Sequence, residues 1–145
     1  MAQAAADAAD GEGVRVRLVP AADAGADDLL AADGYIFAAP ENLAAVSGLM
    51  KEFFDRGYYP ALGKIEGRPY ALLVCAGSDG ENAVRQIERI ATGWRLKIVA
   101  PSLIVCTHAQ TPEQILAPKI IAPDDLAKCA EIGAALAAGL ALGVF

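Results

Sequence analysis

Two short turns hold the residues of this chain best placed to do chemistry. Pro40-Glu41-Asn42, running on into Leu43 and Ala44, follows one apolar run, and Gly77-Ser78-Asp79-Gly80 follows another. Both fall where a strand should end and a helix begin. Glycine at such a place lets backbone approach a planar or phosphorylated ligand, and the free N–H groups of a helix start favour anions. Turns of this kind are also routine connections in α/β folds, so their meaning depends on the elements around them.

Other reactive side chains are few. Cys75 precedes Ala76-Gly77, and His108 follows the next apolar run. That order faintly suggests a thiol nucleophile with a nearby base. Against it, Cys75 continues an apolar run and reads as a small buried residue, while His108, the single histidine, reads as a solvated loop residue. The acidic doublets Asp27-Asp28 and Asp124-Asp125 could suit a phospho-acceptor site. Such an acceptor should follow the third strand, where Ala38-Ala39-Pro40 offers only Glu41. Tyr58, Tyr59 and Trp94 could form a stacking or dimer surface, though aromatic residues after a helix more often pack.

Composition narrows the classes. At 145 residues the chain is one domain by size, 1–145, able to bury roughly 68–70% of its unfolded surface. It is 55% hydrophobic, much of this alanine, which suits closely packed helices. Its most apolar tail, Ile132 to Phe145, is shorter than the ~20 residues a bilayer requires, so no membrane span is expected. With net charge −6 and scattered basic residues, nucleic acid is an unsuitable partner. Cys75, Cys106 and Cys129 are odd in number and lack a CxxC pair. Neither a disulfide framework nor a metal site is expected, and a cytoplasmic location fits.

The elements must then position the turns. Ala2–Ala9 is helical by propensity, and Gly11–Gly13 ends it. Val14–Val19 alternates apolar and charged residues, the period of a half-exposed edge strand. A turn of helix is expected near Asp27. Gly34–Ala39 reads as a central parallel strand. Leu43, Val46, Met50, Phe53 and Phe54 then form a helical face that Gly57-Tyr58-Tyr59-Pro60 terminates. Pro69–Cys75 is a second buried strand, followed by a turn and a helix over Glu81–Thr92. Lys97–Cys106 is a third apolar run, placed at the far edge by Pro101. A polar loop over Thr107–Pro123 leads to a last helix capped by Asp124 or Asp125. The alternation predicts an α/β fold: a parallel sheet with helices on both faces.

The stretch Ala32-Asp-Gly-Tyr-Ile-Phe-Ala-Ala-Pro-Glu-Asn42, followed by Val46-Ser-Gly-Leu-Met-Lys-Glu-Phe-Phe-Asp-Arg56, resembles the flavodoxin-like family. It is closest to the branch of NAD(P)H-dependent FMN reductases and NAD(P)H:quinone oxidoreductases. Gly67–Gly77 and Gly93-Trp94-Arg95-Leu96 extend the likeness. The resemblance implies a three-layer sandwich of strand order 2-1-3-4-5, with FMN at the carboxyl edge. Pro40, Glu41, Asn42, Leu43 and Ala44 would lie against the flavin ring, and Gly77, Ser78, Asp79 and Gly80 near its pyrimidine end. It also implies NAD(P)H as donor, a quinone or similar small acceptor, no catalytic acid or base, and a homo-oligomer.

One departure stands out. Such a fold begins with a central strand and a Ser/Thr-and-Gly-rich phosphate loop, whereas Met1–Ala9 looks like the interior of the first helix. The expectation is an N-terminally truncated chain in which Met1 stands for an internal methionine. FMN binding would then be weakened or absent. The alternatives are a non-catalytic remnant that binds partners through its exposed central gap, and a Cys75-dependent thiol enzyme.

Overall fold

A computed structural model describes all 145 residues. In chain order the elements are α1 (Ala2–Asp10), α2 (Ala26–Ala31), β1 (Tyr35–Asn42), β2 (Ala45–Val46), α3 (Gly48–Ala61), β3 (Pro69–Ala76), α4 (Glu81–Gly93), β4 (Lys97–Ile98), β5 (Leu103–Cys106), α5 (Pro112–Leu116) and α6 (Pro123–Ala141). β1 and β3 form the centre of the sheet and pair in parallel from Tyr35↔Tyr70 to Pro40↔Cys75. All of β3 except Cys75 is buried, as a parallel strand covered on both faces requires. The outer edge of β3 takes β4 and then β5, both parallel. Pro101 lies between those two short strands, where the ladder is interrupted, so the far-edge expectation holds. On the other side β2 folds back antiparallel onto Glu41 and Asn42.

Helices cover both faces. On one, Phe37, Leu72 and Val74 meet Phe53 and Phe54 of α3, Val84 and Ile87 of α4, and Trp94. Burying side chains of this size contributes about 1.5–3 kcal/mol each. On the other face Ile36, Ala38, Leu73 and Leu103 meet Ala5 of α1 with Cys129 and Ile132 of α6. α1 and α6 approach so closely that a Cβ at Gly133 would collide with the Ala5 backbone.

Several expectations need correction. Val14–Val19 is not a strand. A strand exists only through a partner, and none of residues 14–19 enters a backbone–backbone hydrogen bond. Arg17 instead anchors the segment by an ion pair with Asp28 at 2.6 Å. Leu43 is not on a helix: residues 43–46 form a turn and β2, and α3 starts at Gly48. That helix also runs through Gly57 and Pro60 to Ala61. Gly57 is required because a Cβ there would sit 2.6 Å from Leu29 Cδ1, so packing overrides its poor propensity. Pro60 falls in the last turn, where the helix ends one residue later. The last helix is capped by Ala122 rather than an aspartate. Pro123 takes the first helical position, and Asp124 and Asp125 occupy the first turn. The polar 107–123 loop contains the short helix α5.

Candidate functional site

The parallel register sets the ends of β1 and β3 side by side, so both sequence-predicted segments lie at one edge of the sheet, although Pro40–Asn42, expected as a turn, continues β1 because its backbone pairs with β3 and β2. Gly80 closes the second turn as the N-cap of α4, with φ +86°, where only glycine is unstrained. Its N–H donates to Glu41 Oε2 at 2.9 Å and ties the two turns together. The other carboxylate oxygen, Oε1, is buried and has no hydrogen-bond partner. A buried acceptor without a donor costs about 1–3 kcal/mol, and native folds tolerate it chiefly where a ligand or water donates.

The first turn is a two-residue hairpin. Asn42 pairs with Ala45, leaving Leu43 (φ +51°) and Ala44 (φ +58°) at the tip. Positive φ at both central positions marks a primed hairpin turn, normally filled by Asn and Gly. α4 braces this tip. Asn82 Nδ2 donates to the Ala44 carbonyl at 2.5 Å, and Val46 N–H donates to Gln86 Oε1 at 2.9 Å. Sequence reasoning missed Asn82 and Gln86. Their signal was slight, two amide side chains in the first two turns of a helix whose other inward positions are apolar.

Of the nine predicted residues, Glu41 is partly buried and Gly80 buried, while Pro40, Asn42, Leu43, Ala44, Gly77, Ser78 and Asp79 are exposed. Pro40 and Asn42 also line an open hollow of about 570 Å³ with Ala21, Ala38, Ser47 and Gly48, which residues 77–80 do not reach. Beyond β5 the chain packs onto the second turn, with Thr107 N–H donating to Ala76 O and His108 N–H to Gly77 O.

The thiol arrangement lacks an activated nucleophile. Burial pushes the Cys75 thiol up, an effect that the N-terminal ammonium and Lys119 only partly offset. A nucleophilic cysteine needs the opposite shift. His108 is exposed. Trp94 is fully buried, stacks on Tyr58 and donates Nε1–H to the Tyr58 carbonyl, so it belongs to the core; Tyr59 alone is exposed.

The residues present fit one half of a flavin mononucleotide. The unpartnered Glu41 Oε1 and the exposed 43–44 and 77–79 backbone suit a ring bearing N–H and carbonyl groups. The first turn of α1 offers a phosphate Met1, Ala2, Gln3 and Ala4, with no side-chain hydroxyl, no basic side chain and no side-chain cap.

A family model described as NADPH-dependent FMN reductase matches residues 1–111. No curated protein matches the chain in sequence. Among solved structures, a flavodoxin from the domain Archaea superposes with TM-score 0.72 at 17% identity, covering 93% of this chain and 84% of its own. A flavodoxin, WrbA-like protein from Agrobacterium tumefaciens gives 0.66 at 19%, covering 93% and 83%. Megasphaera elsdenii flavodoxin gives 0.70 at 16%, covering 94% and 87%. At such identities the superpositions establish the flavodoxin-like fold.

Proposed function

Because the chain belongs to the NADPH-dependent FMN reductase family, we propose that it is a flavoprotein passing electrons from NAD(P)H through FMN to a quinone or similar small acceptor. The observation that carries this reading is the Glu41 carboxylate. One oxygen locks the 77–80 turn through Gly80, and the other is buried without a donor beside that turn.

In this reading Glu41 Oε1 accepts a hydrogen bond from a ring N–H. The main chain at Leu43 and Ala44 offers its polar groups to the ring from a tip that Asn82 and Gln86 hold still. Flavin mononucleotide, when bound, supplies two-electron acceptance from a nicotinamide and release to the acceptor. The chain's own residues then bind and orient, and no side chain has to move a proton. Hydrogen bonds around a flavin tune its electronics, so a fixed carboxylate is a means of adjustment as well as of binding.

The test is NADPH oxidation by the purified chain with added FMN and a soluble quinone. The reading expects consumption that needs protein, FMN and quinone together. Consumption no faster than that of free FMN with quinone would overturn it.

A further inference from the structure

One stripe of α4 carries two arginines that nothing in the chain neutralises. Asn82, Arg85 and Arg89 follow one another at i, i+3 and i+7, so they share one side of the helix. Asn82 braces the Ala44 carbonyl, and Arg85 Nη2 donates to Asn82 Oδ1 at 3.0 Å. The Arg85 guanidinium is thereby held beside the hairpin tip of the candidate site. Both arginines are exposed, and neither enters an ion pair, not even with Glu81 one turn before Arg85. Glu88, the carboxylate between them, accepts from the Ser102 hydroxyl. Like charges four residues apart repel and weaken a helix. The other lysines and arginines are paired, bonded to backbone carbonyls, or remote. Lys64 follows the far end of α3, Lys97 starts β4 at the opposite edge of the sheet, and Arg15 lies beyond β1.

We propose that Arg85 and Arg89 hold the phosphates of the dinucleotide donor, an assignment that rests on the NAD(P)H–flavin reading of the same site. A nicotinamide over the 40–44 and 77–80 segments carries its pyrophosphate, and in NADPH a 2′-phosphate, past the edge of that site. α4 runs away from the site from its N-cap at Gly80. At ~1.5 Å per residue, Arg85 and Arg89 stand about 7.5 and 13.5 Å along it. Cations a turn apart on a line leading out of the site suit an extended ligand with anionic groups along its length. Arginine suits phosphate because its planar fork donates in pairs and stays charged at any working pH. Asn82 already orders Arg85, which lowers the entropy lost on binding. Bound phosphate also relieves the repulsion between the two guanidinium groups. With a net charge of −6, the chain as a whole repels a polyanionic donor, so a local cationic stripe decides where it lands.

The test compares the parent with Arg85→Ala, Arg89→Ala, the double variant, and Lys97→Ala, which removes one positive charge at the opposite edge. Calorimetric titration with NADP+ and NAD+, in the presence of FMN, should give NADP+ a Kd at least tenfold weaker in the double variant and unchanged in Lys97→Ala. Added salt should weaken NADP+ binding more steeply in the parent than in the double variant. In NADPH oxidation with FMN and a soluble quinone, the double variant should raise KM at least tenfold and keep kcat within about twofold. Arg85→Lys should recover part of the affinity that Arg85→Ala loses. A loss confined to NADP+ assigns the pair to the 2′-phosphate, and an equal loss for NAD+ assigns it to the pyrophosphate. No NADP+ binding by the parent would overturn the proposal, as would equal Kd in parent and double variant, or a loss as large in Lys97→Ala. So would a fall in kcat at constant KM. A parent that binds NADP+ through the arginines yet oxidises NADPH no faster than free FMN overturns the flavin reading alone.

Discussion

Leu43→Asn combined with Ala44→Gly should stabilise the fold while removing an apolar side chain from the surface. Leu43 and Ala44 sit at φ +51° and +58° at the tip of the β1–β2 hairpin. A non-glycine residue in the left-handed region costs roughly 1–2 kcal/mol, and asparagine and glycine relieve most of that. Leu43 is fully exposed, so its removal forfeits no burial. The extra freedom of glycine in the unfolded chain gives back about 0.5–1 kcal/mol. The net expectation for the pair is about 1–2 kcal/mol, or roughly 3–6 °C in Tm for a chain of this size. Urea unfolding followed by tryptophan fluorescence checks it, and the midpoint should rise with an unchanged slope. Trp94 is buried in the core, so it reports global unfolding. A midpoint that stays or falls would show that the bracing by Asn82 and Gln86 does not hold a strained tip, and the reasoning would fail.

Other outcomes follow from the same geometry. Gly80→Ala should cost about 2–4 kcal/mol in urea unfolding, because φ is +86° and its Cβ would lie 2.6 Å from Ile104 Cγ2. Cys75 should be alkylated more slowly than a free thiol at neutral pH, with a rate still climbing past the ordinary thiol pKa of about 8.5 where that of a free thiol levels off, since burial raises its own. The Gly25 N–H, and then Arg17, hold the Asp28 carboxyl below its ordinary range. A lowered folded pKa adds stability above the unfolded value that is lost as pH falls through the folded one. Asp28→Ala should therefore be less stable than the parent at pH 7, with the electrostatic part of that deficit vanishing in acid.

The centre of the fold was legible because its signals are local. Pro69–Cys75 is continuously apolar since both faces of β3 are covered, and the turn after Ala76 carries its glycines openly. The regions misread are those decided by distant partners. Val14–Val19 has a strand's alternation, but alternation alone cannot show that these residues enter no backbone ladder. Gly57 and Pro60 look like a helix stop, yet α3 continues because Leu29 needs the space that a Cβ at 57 would fill. The hairpin at 43–44 carries neither Asn nor Gly at its tip, so it lacked the chemistry by which such turns are recognised. At the site, residue types placed both segments at one edge and marked 77–80 as a turn, but Pro40–Asn42 continues β1 and only Leu43 and Ala44 form the turn. The Glu41–Gly80 hydrogen bond spans 39 positions and depends on the β1–β3 register, which no local pattern encodes.

The central claim is that the 40–44 and 77–80 turns bind a flavin ring through Glu41. FMN titration of the parent chain and of Glu41→Ala, read by flavin fluorescence quenching, tests it most directly. A hydrogen bond to a charged group contributes about 1.5–3 kcal/mol, so the account predicts saturable binding by the parent and a Kd roughly 10–100-fold weaker in the variant. No saturable binding by the parent, or equal affinity of the two, would contradict it.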